Sequence, residues 1–353
     1  MQDKINSINS TEIGKLRLSV LDQAPIAEGS TGAQALRNSL DLAKLADDLG
    51  YHRYWVAEHH GTPALAGASP EVLIGPIAAA TSQIRVGSGG VMLPHYSPLK
   101  VAESFSMLDG LFPGRIDLGI GRAAGTDAQT TLALQRDRRQ SSPDDFPKQF
   151  AELRGYLNGD MPENHPFARL ANLPGRPGVP DLWLLGSSPQ SGAWAAEWGL
   201  PYMFADFINS QGAQIARMYR ERFEPSRELS VPRAAVAAWV LCADTDAEAE
   251  RLATSGQMLI SLLHRGQLIP VPTPETAARF LEDQDPYAAL LERPRRRIVG
   301  SPETVKAGIE ALAHEYQAEE VMIVTITYDH QARRRSYELV AETMGLTAQV
   351  AAV

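Results

Sequence analysis

Eight short runs rich in Val, Ile and Leu recur at 16–22, 53–57, 84–92, 116–120, 182–186, 202–206, 233–242 and 321–327, and segments of helical periodicity separate them. A strand that is followed each time by a helix pairs in parallel with the next strand and needs helices to cover the sheet. An open doubly wound sheet and a closed (β/α)8 barrel both accept that order, and a count of eight favours the barrel. Leu36, Leu40 and Ala43 fall at i, i+4 and i+7, and Val305, Ile309 and Leu312 repeat the spacing, so each segment carries one apolar stripe to lay on the sheet. Ser69-Pro70, Ser97-Pro98, Ser188-Pro189 and Ser301-Pro302 mark helix starts. In each, a serine oxygen is placed to cap and the proline lacks only an N–H that has no partner there.

A barrel of this kind does its chemistry where strands end and βα loops begin, and the polar motifs fall at those places. Arg115 to Arg122 is an apolar strand pattern that runs into glycines and one arginine, which puts a phosphate-sized anion site at a strand's C-terminal end. The runs 54–60 and 86–94 share the design. Gly119-Ile120-Gly121-Arg122-Ala123-Ala124 satisfies a loose G-x-G-x-x-A dinucleotide pattern, but the polar stretch 126–131 stands where that fingerprint needs a regular apolar helix. The glycines instead let a large flat ligand approach the backbone, while Arg122 offers a planar fork to phosphate.

A second anion element is Gly186-Ser187-Ser188-Pro189-Gln190-Ser191-Gly192. It follows a strand and opens a helix, so backbone N–H groups and three hydroxyls converge under a favourable helix dipole; an ordinary capped helix start has the same beginning. Ser88-Gly89-Gly90 interrupts a strong strand, and either a bulge or a cis peptide between Gly89 and Gly90 accounts for it. Glu58-His59-His60 can supply metal ligands, a general base or a hydrogen-bonded cap. Adjacent strand residues point to opposite faces, so His59 and His60 do not share an ion, and a metal site would need His59 with distant His95 or Asp206. No metal is therefore expected, and the sharper reading is that His59 titrates near neutrality beside a cofactor.

Composition bounds the rest. Hydrophobic residues make up 44% and charged residues 21%, as in a soluble globular chain, and 353 residues suit one decorated barrel. A net charge of -9 argues against nucleic acid, and the one dense basic run, 293–297, reads as a solvated loop edge. The single cysteine, Cys242, lies in an apolar run, which suits buried packing and a reducing cytoplasm. Residues 1–15 are polar and read as a flexible extension rather than a secretory signal, and no run is long enough to span a bilayer. One domain, 16–346, is expected, with a short tail at 347–353. Segments 123–143, 160–180 and 264–300 exceed simple connections. The first and third follow strands four and seven and so form insertions at the C-terminal mouth, with 264–300 a candidate lid; the second belongs to the opposite rim.

The chain resembles the bacterial luciferase-like flavin monooxygenases, in their single-chain branch, from Leu16 to about Gly345. The resemblance is carried by Val56-Ala57-Glu58-His59-His60, by 86–94, by Gly-Arg-Ala-Ala-Gly-Thr-Asp at 121–127, by 187–201 with its Trp-Ala-Ala-Glu-Trp-Gly-Leu-Pro, and by Val299-Gly300-Ser301-Pro302. It implies a TIM barrel that binds FMN at its mouth and forms a homodimer. Arg122 with Ser187, Ser188, Ser191 and Gly192 would hold the phosphate, Gly89-Gly90 would form a cis peptide behind the isoalloxazine, and His59 would be the catalytic histidine. It further implies reduced FMN delivered by a separate NAD(P)H:flavin reductase, and oxygen from O2 inserted into a small organic substrate through a flavin C4a-peroxide. The reactive cysteine of the luciferase α subunit is replaced here by Gly121, which counts against light emission. A flavin-holding protein without turnover, and a deazaflavin (F420)-dependent oxidoreductase on the same barrel, are the alternatives.

Overall fold

In a computed structural model, which describes residues 16–122, 126–134, 145–170, 178–283 and 296–347, all described strands are parallel. They are β1 (Arg17–Asp22), β2 (Arg53–Val56), β3 (Arg85–Met92), β4 (Ile116–Gly121), β5 (Asp181–Gly186), β6 (Tyr202–Ala205), β7 (Ala234–Cys242), β8 (Arg297–Gly300) and β9 (Glu320–Val324). Each of β1 to β6 pairs with its neighbour in order, β6 pairs with β7, β7 with β9, and β9 returns to β1, which closes an eight-stranded barrel. The eight strand runs of the sequence are these eight staves. The expected extension 1–15, and 348–353 of the expected tail, lie outside the described residues.

The helices are α1 (Gly32–Asp48), α2 (Pro70–Ala80), α3 (Pro98–Leu111), α4 (Ala128–Leu134), α5 (Phe146–Asn158), α6 (Pro189–Glu197), α7 (Ala213–Glu221), α8 (Asp246–His264), α9 (Pro274–Glu282), α10 (Pro302–Tyr316) and α11 (His330–Thr343). On α10 the expected stripe, Val305, Ile309 and Leu312, is buried. On α1 the buried face is Ala35, Ser39, Leu42, Ala43 and Ala46, with Leu36 and Leu40 at its edge. Small residues at 35, 39, 43 and 46 let that helix approach the sheet. The four Ser-Pro starts do begin helices, but of the four serines Ser188 alone caps through its side chain. Ser301 Oγ lies 3.3 Å from Thr304 Oγ1 instead.

The ninth strand is a departure from the sequence reading. Segment 264–300 was expected as one long loop; it contains α9 and β8, and its residues 284–295 lie outside the described set. β7 runs past the barrel rim, and its last residues, Trp239 to Cys242, pair with β8. α8 packs on β8 and α9 in the same excursion. Because β8 is four residues long and pairs only with this overhang, its signal was too short to separate from loop.

Alternation along the staves sorts the barrel interior into layers. At the N-terminal end lies a charged plug: Arg53 Nη1 donates to Asp117 Oδ2 at 2.6 Å and its Nε to Glu320 Oε1 at 3.0 Å, while Arg85 Nη2 donates to Asp117 Oδ1 at 2.6 Å. Ser19 Oγ donates to Glu320, and Trp55 Nε1 to Asp117. Burial alone would raise the Asp117 carboxyl, but Arg53 and Arg85 outweigh it and hold it below its ordinary value. Above the plug, Trp55 and Trp183 meet edge to face at 5.5 Å. Gly87 makes room there, since a Cβ on it would stand 2.9 Å from the Trp55 indole nitrogen and 2.5 Å from the Asp117 carbonyl. The top layer is the floor of a cavity.

Candidate functional site

The cavity at the C-terminal mouth has a volume of about 320 Å³, within the range of small-molecule sites. Interior residues one layer above the tryptophans form its floor and walls: Leu21, Ala57, Met203, Ala237 and Met322, with Phe207 and Ile208 at one rim. Of the eight residues singled out in the sequence, His59, Gly89, Gly90, Arg122, Ser187, Ser188 and Ser191 line this one cavity. They come from the ends of β2, β3, β4 and β5, so residues up to 132 positions apart reach a common rim because parallel staves all end on the same face.

Gly192 is the exception. It is not among the lining residues, its N–H donates to the Ser188 carbonyl at 3.3 Å inside α6, and a Cβ there would stand 2.7 Å from Ile215 on α7. Its smallness serves the packing of two helices. A similar correction applies to Gly119, where a Cβ would collide with the Ser88 carbonyl of the neighbouring strand. That glycine admits a strand, whereas Gly121 does border the cavity.

The β5 to α6 turn is ordered by its own hydroxyls. Ser188 Oγ accepts from the Ser191 N–H at 3.3 Å, and Ser191 Oγ lies 2.9 Å from Tyr202 Oη and accepts from the Ser188 N–H at 3.3 Å, a reciprocal capping box. Asn209 Nδ2 donates to the Ser187 carbonyl at 2.9 Å. Ser187, Ser188 and Ser191 put the N-terminal end of α6, the positive end of its dipole, at the cavity wall. Arg122 stands exposed on the same rim, its guanidinium carbon 5.3 Å from the centre of the Trp194 ring. A fixed turn with one cation beside it is the donor set that a phosphate monoester needs.

The peptide between Gly89 and Gly90 is cis, and the β3 to β4 register shifts between Gly89 and Val91, so the cis peptide and the irregular strand occur together. Both glycines present backbone to the cavity.

Beside them, the β2 end divides its three polar residues. Glu58 is fully buried outside the cavity lining and accepts from the Met92 N–H at 2.9 Å, from Tyr96 Oη at 2.9 Å and from His60 Nε2 at 2.8 Å. It therefore ties the β2 loop to the end of β3. His59 turns to the cavity. Burial, and then the neighbouring His60, depress it from 6.5 to about 4, and its Nδ1 is buried without a hydrogen-bond partner. The expectation of titration near neutrality is thus corrected: the imidazole is held neutral around pH 7, because burial disfavours its charged form. Asp206, buried at the end of β6, does not line the cavity and is held by Tyr316 Oη at 2.8 Å.

Several lining residues escaped the sequence reading. Gln23 is two positions beyond Leu21, just past the end of β1, and Trp194 is three beyond Ser191 on the cavity face of α6; the alternation and helical spacing already used for their neighbours point to both. Among the described residues no group of three or more His, Cys, Asp or Glu could hold a metal ion, and no helix is long and apolar enough to cross a membrane. Of the basic run 293–297, residues 293–295 lie outside the described set, while Arg296 pairs with Glu315 at 2.5 Å and Arg297 with Glu250 at 3.6 Å.

Comparison with known proteins gives a consistent picture. A family model described as luciferase-like monooxygenase matches residues 16–320. Among curated relatives, a luciferase-like monooxygenase of Escherichia coli K12 is 41% identical over 92% of this chain and 96% of its own length. An N-acetyl-S-alkylcysteine monooxygenase of Bacillus subtilis is 36% identical over 93% and 98%. Among solved structures, apo-MsnO8 superposes with a TM-score of 0.86 at 41% identity, covering 96% of this chain and all of that one. Two more distant structures share the fold: the oxygenating constituent of 3,6-diketocamphane monooxygenase from Pseudomonas putida, in complex with FMN (TM-score 0.70, 21% identity, 93% and 97% covered), and the coenzyme F420 dependent tetrahydromethanopterin reductase of Methanopyrus kandleri (0.61, 16%, 94% and 98%).

Proposed function

This chain belongs to the luciferase-like monooxygenase family, and from that premise we propose that it uses reduced FMN and O2 to oxygenate a small organic molecule. The observation that carries the reading is the convergence of Arg122 and the Ser187, Ser188, Ser191 turn on one apolar cavity, where that arginine is the only charged lining residue among the described residues. The donor set fits FMN: a phosphate at the β4 and β5 ends, a flat ring against the Gly89-Gly90 backbone, and an apolar chamber of Leu21, Met203, Ala237 and Met322 for substrate. When bound, the flavin supplies activation of O2. The chain's part is to grip the phosphate, to lay the ring on the cis peptide and to keep water out. The described residues 264–283 of the expected lid are assigned to the last task; Val271 bridges to Ala27 in the loop after β1.

His59 is assigned as a neutral hydrogen-bond partner at the reacting atoms. His59→Ala is expected to bind flavin normally yet to lower coupled oxygenation by at least about a hundredfold, measured as product formed per NADH consumed; an unchanged yield removes it from the mechanism. Its low pKa also sets a pH signature. Between about 6.5 and about 4 the unfolded chain takes up a proton that the folded chain refuses, so this group lowers stability as pH falls through that window and leaves it level above. Denaturant titrations at pH 7 and pH 5 should show a smaller difference for His59→Asn than for the parent.

S-alkyl thioethers are the first substrates to try, in line with the Bacillus relative and with the polarizable Met92, Met203 and Met322 around the chamber. The experiment is aerobic turnover with a NAD(P)H:flavin reductase as electron source. An oxygenated product supports the proposal, and flavin binding without product supports the flavin-holding alternative. Tighter binding of F420 than of FMN would transfer the chain to deazaflavin chemistry. Cys242, buried with its thiol pushed up to about 12 by burial, suits the reducing cytoplasm in which we place the enzyme.

A homodimer is also proposed. α2 and α3 pack side by side and expose Val72, Met107 and Leu111, an apolar face that a second copy would cover. Met107→Glu with Leu111→Lys is expected to halve the mass found by sedimentation; a parent protein already of monomer mass would contradict the dimer.

A further inference from the structure

We propose that Trp194 is a positioning residue for the phosphate grip, acting through Arg122; this rests on the reading of Arg122 as the phosphate ligand. Trp194 lies one helical turn beyond Ser191 on α6 and lines the same cavity, so the helix that offers its N-terminus to the anion also carries the surface on which the cation rests. The Arg122 guanidinium carbon is 5.3 Å from the centre of the indole, within reach of a cation–π contact.

The indole is itself held. It stacks with Phe146 at 5.4 Å and 29° and with Trp198 at 5.5 Å and 6°, and Trp198 stacks with Phe150 at 4.7 Å and 15°. Phe146 and Phe150 belong to α5, Trp194 to α6 and Trp198 to its C-cap, each pair at i, i+4. Four rings thus run toward the rim, and two of those contacts, from Phe146 and Trp198, bear directly on the ring that meets Arg122. The consequence is preorganisation. An exposed arginine on a loop gives up rotamer freedom when it binds an anion, and a rigid π surface that engages the face of the guanidinium removes part of that loss beforehand. Packing alone would account for the stack within and between the helices, but it does not require a guanidinium at its cavity end.

The experiment compares FMN with riboflavin, which lacks the phosphate, for the parent, Trp194→Met, Trp194→Phe, Arg122→Ala and the double variant Trp194→Met with Arg122→Ala. Trp194 is half-buried, and methionine keeps an apolar, helix-compatible side chain without a π face. Trp194→Met should weaken FMN about five- to tenfold and leave riboflavin within about twofold, while Trp194→Phe restores most of the loss. In the Arg122→Ala background, Trp194→Met should add nothing. Equal losses of FMN and riboflavin in Trp194→Met, or additive losses in the double variant, overturn the positioning role and leave a packing role. Failure of the underlying reading looks different: Arg122→Ala itself would then weaken both flavins alike.

Discussion

Arg122→Ala is expected to weaken FMN on the order of a hundredfold, the size of a lost charge-assisted contact to a phosphate, and to leave riboflavin nearly unchanged. The asymmetry matters more than the size. Among the described residues Arg122 is the only charged one lining the cavity, and it shares that cavity with a turn whose hydroxyls are already ordered by the Ser188, Ser191 and Tyr202 contacts. Without the guanidinium the turn still offers dipole and hydrogen bonds, so binding should weaken and not vanish. Arg122→Lys should fall between the two, because an ammonium keeps the charge but neither the fork nor the flat face that rests on Trp194. Isothermal titration with both flavins decides it; parallel losses would mean that the arginine serves the fold.

The second large effect lies at the other end of the barrel. Asp117→Ala is expected to lower folding stability by about 3–5 kcal/mol, read as a shift in the urea midpoint at constant slope. Asp117, itself fully buried, accepts from Arg53, Arg85 and Trp55, and Arg53 is as fully buried as its partner. Removing the carboxylate leaves the buried Arg53 with Glu320 as its counter-charge and Arg85 with the exposed Asp181. Glu320 is the same kind of group: burial would raise it, but Arg53 and then His52 hold it below its ordinary value. The folded fraction should still bind FMN, since the plug is separated from the cavity by the Trp55 and Trp183 layer. A loss below about 1 kcal/mol, as for an exposed ion pair, would show that the plug is hydrated.

The strands and the rim could be read from the sequence because both rest on local pattern. Each stave announces itself by an apolar run, and each run ends in the residues that face the cavity, as His59 follows Trp55 and Ala57 at steps of two. The plug could not be read in the same way. Arg53 and Glu320 are 267 positions apart, and nothing local tells a charge at the start of a strand whether it enters a barrel or water. Their inward register, visible once the barrel is closed, is the missing term. The ionisation of His59 was misread for a related reason: its position at a strand end is a property of the run, whereas its burial is a property of the loops around it. Gly192 shows the opposite error, a residue whose neighbours face the ligand but whose own side faces Ile215. Among the described residues β8 was lost because its partner is an overhang of β7 that has no counterpart elsewhere in the barrel.

A crystal structure of the enzyme soaked with FMN under the conditions of turnover puts the account to its most direct trial. The phosphate should lie within hydrogen-bond distance of the Arg122 guanidinium and of the Ser188 and Ser191 turn, with the isoalloxazine against Gly89-Gly90 and His59 at its edge. A flavin bound elsewhere, or one whose phosphate points to solvent away from Arg122, would contradict it.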